Sequence, residues 1–136
     1  MLVNSKTNND KVVLGLLSLT FPEDERDLSN VKELLESIYQ DDSQEIFLYR
    51  DPETDNFIGI FVVEFNTLES NDQRHSTSIV IQRYGIVPSF IDDCIDYRMY
   101  GELRKKYPNY AIIGTMDLSE KVAQWGEKFQ QEALGE

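Results

Sequence analysis

The sequence contains little cysteine, histidine or positive charge. Its 136 residues include one Cys and one His, and 13 Lys and Arg stand against 25 Asp and Glu, for a formal net charge of -12. One cysteine permits no internal disulfide, and it excludes a zinc site that needs several thiolates. The negative charge argues against non-specific binding to nucleic acids or anionic membranes, because both are polyanions.

Long hydrophobic runs are also missing. The longest apolar stretches, residues 12–19 and 57–63, are much shorter than the roughly 20 residues that cross a bilayer. The N-terminus lacks the charged region and apolar core of a signal peptide, so we expect a cytoplasmic protein. The composition, with 40% hydrophobic and 28% charged residues, is typical of a globular protein. We expect one domain over residues 1–131 and a loose tail over residues 132–136.

The N-terminal third of the chain predicts a short strand and two helices. A strand over residues 1–6 is possible. Apolar residues at one-and-four spacing favour a helix over residues 9–20, capped by one of three polar residues at positions 8–10, although a glycine and two valines leave a strand as the alternative. A clearer apolar stripe predicts a second helix over residues 27–40. That stripe consists of Leu28, Val31, Leu34, Leu35 and Ile38.

The remaining two thirds predict a mixed sheet. Residues 45–49, 57–65 and 76–86 are rich in β-branched and aromatic residues and are expected to form an antiparallel meander. A helix over residues 90–107 then leads to a parallel strand over residues 110–116, which completes a βαβ unit. The core stripe of this crossover helix is expected to be Ile91, Ile95, Met99 and Leu103. A final helix from 119 to 131 should point Val122, Trp125 and Phe129 inward.

Three short segments and this order of elements carry a resemblance to a known family. The segments are Gly15-Leu16-Leu17-Ser18, Phe47-Leu48-Tyr49 and Ile86-Val87-Pro88-Ser89. In these features the chain resembles the GNAT N-acetyltransferase superfamily, and within it the small RibT-like proteins encoded with riboflavin biosynthesis enzymes in some Gram-positive bacteria. The resemblance implies an α/β (α+β) fold with a GNAT-like mixed sheet, an antiparallel meander followed by a βαβ crossover, and helices on both faces.

The resemblance also implies acetyl-CoA as cofactor and an amine, on a small molecule or a protein, as acceptor. In the superfamily, glycines in the loop after the fourth strand let backbone N–H groups approach the pyrophosphate at a helix N-terminus. The corresponding cofactor positions are Ile86, Asp93, Cys94, Ile95 and Asp96. Cys94 and Asp96 replace the two glycines, and Asp92 and Asp93 add charge. A unit charge facing another at about 5 Å costs roughly 1 kcal/mol in water. We therefore expect a degenerate loop that opposes phosphate binding.

The catalytic positions implied by the resemblance are degraded as well. Gly126 stands where many GNAT enzymes have a tyrosine that protonates the departing thiolate, and glycine has no proton to give. Ser119 matches a common asparagine and could still form a hydrogen bond. Glu64, on a strand that should face the cleft, could deprotonate an amine through water, although a solvent-facing position explains it equally well. Glu64 and Ser119 are thus the catalytic candidates.

Other polar residues have simpler explanations beside a functional one. His75 could be a general base, but an exposed loop histidine is the more frequent case. Cys94 could be a nucleophile at a helix start, but neighbouring aspartates disfavour its thiolate and a packed cysteine is the alternative. Asp92 and Asp96, four residues apart, would make only a weak cation site, so no metal is expected.

Two hypotheses follow for the function. One is a GNAT-like acetyltransferase, connected by resemblance to riboflavin biosynthesis. The alternative is a non-catalytic GNAT-fold binding or regulatory protein that has lost acetyl-CoA binding. In either case the chain stops before the last two strands usual in the superfamily, so a homodimer partner is expected to cover the open sheet edge.

Overall fold

The sheet of this protein has five strands in the order β1-β2-β3-β4-β5. The computed structural model describes residues 1–4, 10–69 and 75–134. The strands are β1 (Leu2–Asn4), β2 (Gln44–Arg50), β3 (Phe57–Glu69), β4 (His75–Ile86) and β5 (Ala111–Gly114). The first four strands pair antiparallel with their neighbours, and β5 pairs parallel with β4. The predicted meander, followed by a parallel crossover, is confirmed.

Two helices cover each face of the sheet, as predicted. They are α1 (Asp10–Ser18), α2 (Leu28–Gln40), α3 (Ile95–Lys106) and α4 (Ser119–Leu134). The helix interpretation of the first apolar segment is confirmed over α1, while two of its three proposed capping residues, Asn8 and Asn9, lie outside the described residues. Asp27 is the N-cap residue of α2, and its side chain makes no capping hydrogen bond.

The alternation of side chains along the strands creates two cores. On one face, α1 and α2 pack on the sheet through Val13, Leu16, Leu17, Val31, Leu35, Ile38, Ile46, Leu48, Ile60 and Val62. On the other, α3 and α4 pack through Ile95, Met99, Tyr100, Leu103, Val122 and Trp125 on Phe47, Phe61, Val63, Ile79 and Ile81. Phe47 and Leu48 are both fully buried although they are adjacent, because successive strand residues point to opposite faces. Burial on both faces explains why these strands are almost continuously apolar.

The crossover helix differs from its prediction. Residues 90–107 were expected to form one helix, but Pro88–Asp93 form a 3-10 segment and α3 begins only at Ile95. Between them Cys94 adopts a left-handed conformation with φ 58 and ψ 32, which ends the first segment and redirects the chain. Ile91 is consequently 58% exposed and was wrongly assigned to the core stripe, whereas Ile95, Met99 and Leu103 are buried as predicted.

The C-terminal helix is longer than expected. Residues 132–134 were assigned to a loose tail, but α4 continues to Leu134. The Tyr97 hydroxyl on α3 donates a hydrogen bond to Glu132 Oε2 at 2.6 Å. Burial and this bond to a carboxylate together raise the pKa of Tyr97 to about 12. The last turns of α4 are thus attached to α3, which explains why the helix persists.

Candidate active site

A cleft opens where β4 and β5 diverge. The two strands pair from Ser78 and Ala111 to Ile81 and Gly114, and the N–H of Thr115 donates to the Ile81 carbonyl at 3.2 Å. Beyond this point β4 continues to Ile86, while the segment that follows β5 turns towards α4. A cavity of about 830 Å³ occupies the gap. That volume lies within the range of roughly 300–1,000 Å³ typical of small-molecule sites.

A β-bulge in β4 lies at the edge of this cavity. Val62 pairs with Arg83 and Val63 with Ile81, so Gln82 is an extra residue on β4. Bulges of this kind disrupt the ladder and redirect side chains, and they are over-represented near active sites. Gln82 lines the cavity and its Nε2 donates to Glu64 Oε2 at 2.9 Å.

The two catalytic candidates predicted from the sequence lie outside the cavity wall. Glu64 is partly buried and bonded to Gln82, so it sits behind the lining rather than in it. Ser119 is exposed, and its hydroxyl donates to the Met116 carbonyl at 3.3 Å in the turn before α4. Neither side chain is placed to touch a ligand in the cleft directly.

The start of α3 forms another wall. Of the five predicted cofactor positions, Ile86 and Asp96 line the cavity, while Asp93, Cys94 and Ile95 do not. Because α3 begins at Ile95, only Asp96 lies in its first turn. Of the three carboxylates expected to face an anion here, only Asp96 lines the cavity, while Asp92 and Asp93 belong to the 3-10 segment before α3.

The remaining carboxylate at this wall is occupied. Asp96 Oδ1 accepts a hydrogen bond from the N–H of Tyr97 at 2.8 Å. Its other oxygen lies 3.9 Å from the Nζ of Lys121, at the start of α4. Asp96 thus repels an anion in the cleft less than a free carboxylate would, because Lys121 offsets part of its charge.

Cys94 keeps a backbone conformation that suits glycine. Its φ of 58 lies in the left-handed region, where a residue with a Cβ is strained by roughly 1–2 kcal/mol. By the resemblance this position corresponds to a glycine, a residue that adopts such a conformation without strain. The thiol is exposed, which makes the alternative of a packed cysteine wrong, and it does not line the cavity.

Replacing Cys94 by glycine should stabilise the protein. Relief of the left-handed strain, roughly 1–2 kcal/mol, exceeds the extra unfolded-chain entropy of about 0.5–1 kcal/mol. We expect Cys94→Gly to raise the free energy of unfolding in urea by about 0.5–1 kcal/mol. Cys94→Ala keeps the Cβ and serves as the control, with no gain. Equal or lower stability of the glycine variant would show that the left-handed turn is not strained.

The cavity is less acidic than the rest of the protein. Its charged lining residues are Arg26, Arg83 and Lys121 against Glu25, Asp96 and Asp117. The cavity lining thus has as many basic as acidic residues, whereas the whole chain has 13 basic and 25 acidic residues. The lining is therefore enriched in positive charge. A hydrogen bond with the Tyr84 hydroxyl, helped by the charge of Asp96, raises the pKa of Lys121. Lys121 therefore stays an ammonium at neutral pH and is suited to hold an anion, not to accept a proton.

Gly126 faces a tyrosine from another helix. A Cβ at this position would lie 3.1 Å from the Tyr100 hydroxyl oxygen. Tyr100 is buried and packs against Trp125 and Phe129, with ring centres 6.0 and 6.2 Å apart. A larger side chain at Gly126 would displace Tyr100. The tyrosine that does line the cavity is Tyr84, on β4. It was not among the residues predicted from the sequence.

The remaining polar candidates lie away from the cleft. His75 was assigned to a loop, but it is the first residue of β4 and pairs with Glu69, at the opposite end of the strand from Ile86. Within the described ranges, no group of three or more His, Cys, Asp or Glu side chains is arranged to hold a metal ion. No helix in that part of the chain is long and apolar enough to cross a membrane.

Comparison with known proteins identifies the fold. No protein-family model matches the sequence, and no curated protein matches it either. Solved structures do match. A probable acetyltransferase aligns with a TM-score of 0.66 at 12% identity, over 100% of this chain and 89% of its own. An aminoglycoside 6'-N-acetyltransferase from Acinetobacter haemolyticus aligns with a TM-score of 0.62 at 9% identity, over 100% and 90%.

A GNAT-family acetyltransferase from Staphylococcus aureus aligns with a TM-score of 0.60 at 14% identity, over 84% of this chain and 83% of its own. Likenesses at these identities establish the architecture and not the activity. The chain therefore has the GNAT fold, as the order of its elements predicted.

Proposed function

We propose that the protein binds acetyl-CoA in the cleft between β4 and β5 and transfers the acetyl group to an amine. The observation that carries this proposal is the 830 Å³ cavity, which opens at the bulge of β4 where the pairing with β5 ends. A strand edge without a partner offers backbone N–H and C=O groups to an extended ligand. The fold of the solved acetyltransferases adds support but does not carry the activity.

The lining residues fit the chemistry of the coenzyme. Residues 82–86 form the free edge that would hold the extended pantetheine arm. Lys121 and the N-terminal end of α3 would face its phosphates, since an ammonium and a helix start both favour anions. When bound, acetyl-CoA would supply an activated thioester as acetyl donor to the amine. Asp96 and Asp117 are carboxylates that line this side of the cavity, and Lys121 offsets part of the charge of Asp96.

Tyr84 is the residue that we propose as proton donor to the thiolate. It lines the cavity, and the Nζ of Lys121 lies 5.7 Å from the centre of its ring. Its ring is fixed against Trp125, with the ring centres 5.4 Å apart. General acid catalysis of this kind contributes about 10²–10⁴-fold to a rate. In this role Tyr84, from β4, replaces the tyrosine that is absent at Gly126.

A thermal shift assay tests the proposal. Acetyl-CoA at about a hundred times its dissociation constant should stabilise the fold by about 2.7 kcal/mol. Release of free thiol with a panel of primary amines then measures transfer. Tyr84→Phe should lower turnover by about 100-fold while leaving coenzyme affinity within about twofold. The absence of any shift at millimolar acetyl-CoA would refute the proposal.

The second candidate is a non-catalytic protein with the same fold. It is favoured by Tyr100 next to Gly126 and by the position of Glu64 and Ser119 outside the cavity lining. This function predicts no thermal stabilisation by acetyl-CoA and no thiol release for any amine in the panel. The connection to riboflavin biosynthesis rests on the sequence resemblance alone and stays a prediction.

The homodimer also stays a prediction. Strand β5 lies at the edge of the sheet, and Ile113 on it is half exposed while Met116, just after it, is 94% exposed. We propose that a second copy covers this edge, because open apolar strand edges tend to associate.

A further inference from the structure

Two arginines line the wall of the cleft that lies on the α1 and α2 side of the sheet. The Arg83 guanidinium lies over the ring of Phe21, 4.6 Å from its centre, and donates to Thr20 Oγ1 at 3.4 Å. Arg26 Nε donates to the Phe21 carbonyl at 3.1 Å. All four residues line the cavity. We call Thr20, Phe21, Arg26 and Arg83 the arginine wall.

Within the described part of the chain, neither guanidinium has a carboxylate within ion-pairing distance. Across the described residues, the ion pairs within 4.0 Å involve the N-terminal ammonium, Arg50 and Lys121, and not Arg26 or Arg83. This is unexpected in a chain with 25 acidic and 13 basic residues, since nearby carboxylates are abundant. Glu25, on the same wall, is not within that distance of either arginine. The aromatic face, the hydroxyl and the carbonyl orient the two side chains without cancelling their charge.

The free N–H groups of the arginine wall match one ligand chemistry. A guanidinium presents five donors in a planar fork, which fits a carboxylate in a bidentate manner. Arg83 and Arg26 each use one of these groups within the protein. Each guanidinium therefore keeps N–H donors that can pair with carboxylate oxygens.

The arginine wall lies on the other side of the cleft from the residues that we propose to face the coenzyme phosphates. Arg83 points to the side of Thr20 and Phe21, after α1, whereas its neighbour Tyr84 packs on Phe61 and Trp125 on the opposite face. Lys121 and the start of α3 belong to that opposite face. The cleft thus has one cationic group on the α3 and α4 side and two on the α1 and α2 side.

We propose that the arginine wall binds a carboxylate of the acceptor, so that the acceptor is an amine that also carries a carboxylate group. This inference rests on the proposed acetyl transfer for the amine itself. Glu25 on the same wall gives an acceptor with both ammonium and carboxylate groups a site of opposite charge for each. Arg83 and Arg26 are then the residues that determine specificity.

The test uses a matched pair of product mimics, N-acetylglycine and its neutral isostere N-acetylglycinamide. Two-dimensional NMR titration at millimolar concentration measures their affinity for the full chain. We expect the wild type to bind the carboxylate about tenfold more tightly, which is about 1.4 kcal/mol. Arg83→Gln should remove this preference. Arg26→Gln, at an exposed position, should reduce it.

A control arginine and a second ligand make the outcome decisive. Arg50 also lies over an aromatic ring, that of Phe57 at 5.0 Å, but outside the cleft, so Arg50→Gln should leave the preference unchanged. Acetyl-CoA affinity should change by less than about twofold in Arg26→Gln, because Arg26 lies outside the strand edge proposed for the pantetheine arm. Equal binding of the two mimics by the wild type, or binding of neither, would overturn the inference. A tenfold loss of acetyl-CoA affinity in Arg26→Gln would also overturn it, because the arginine wall would then hold the coenzyme phosphates.

Failure of the proposed function gives a different result. If acetyl-CoA does not bind to the wild type, acetyl transfer is refuted. The preference for N-acetylglycine over its amide is still measured in the absence of coenzyme, and it decides the carboxylate site by itself.

Discussion

Thr115→Trp is expected to lower the affinity for acetyl-CoA by about 100-fold, or about 2.7 kcal/mol, without unfolding the protein. Thr115 directly follows β5, and its N–H donates to the Ile81 carbonyl of β4. It also lines the cavity where the two strands separate. An indole at this position fills the gap between the strands that an extended ligand would occupy. The backbone bond from Thr115 to Ile81 does not involve the side chain, so the sheet is retained.

A second tryptophan variant separates blocking of the cleft from the general effect of a large side chain. Ile113 is two residues earlier on β5, half exposed and not part of the cavity lining. Ile113→Trp should therefore bind acetyl-CoA within about threefold of the wild type. Calorimetric titration measures both affinities, and circular dichroism confirms the fold. Similar affinity in both variants would mean that the coenzyme does not enter between the strands.

Gly114→Ala is expected to lower the free energy of unfolding by roughly 3 kcal/mol, a large part of the 5–15 kcal/mol typical of a domain. A Cβ at this position would lie 2.8 Å from the carbonyl carbon and oxygen of Leu118 and 2.9 Å from Val122 Cγ2. Two of these three atoms belong to the backbone of the turn that begins α4, so they cannot move aside by a change of rotamer. The helix itself must shift, which disturbs its packing on the sheet.

The matched control is another glycine of the same half of the molecule. A Cβ at Gly101, inside α3, would meet Phe129 at 3.6 Å, which is an ordinary contact. Gly101→Ala should stabilise the protein by about 0.5–1 kcal/mol, because alanine is the better helix former. Urea denaturation of the two variants measures the difference. If Gly114→Ala lowers the free energy of unfolding by less than about 0.5 kcal/mol, the turn before α4 does not pack as closely on Gly114 as the structure shows.

The topology could be predicted from the sequence because its signals are local. Alternation and β-branched residues indicate the strands, and the 3.6-residue periodicity of residues such as Val31, Leu35 and Ile38 indicates the helices. The break at Cys94 could not be predicted in this way. Apolar residues continue at helical spacing through Ile91, and no glycine marks the left-handed residue.

The site was harder to predict, because it depends on residues far apart in the chain. Arg26, Arg83 and Lys121 come from three segments that only the folded sheet brings to one cavity. Tyr100 on α3 lies close to Gly126 on α4. The sequence alone could not show this contact, so Gly126 was interpreted only as the loss of a catalytic tyrosine. Aspartates 92, 93 and 96 were treated as one cluster because they are close in sequence. In the structure the left-handed Cys94 separates the first two, in the 3-10 segment, from the third, in α3.

The central claim is that acetyl-CoA binds where β4 and β5 diverge, and amide NMR of the uniformly labelled protein tests it most directly. Titration with acetyl-CoA should shift the amides of residues 83–86 and of Thr115, together with those at the start of α3. Shifts confined to other parts of the molecule, or no shifts at millimolar coenzyme, would contradict the account.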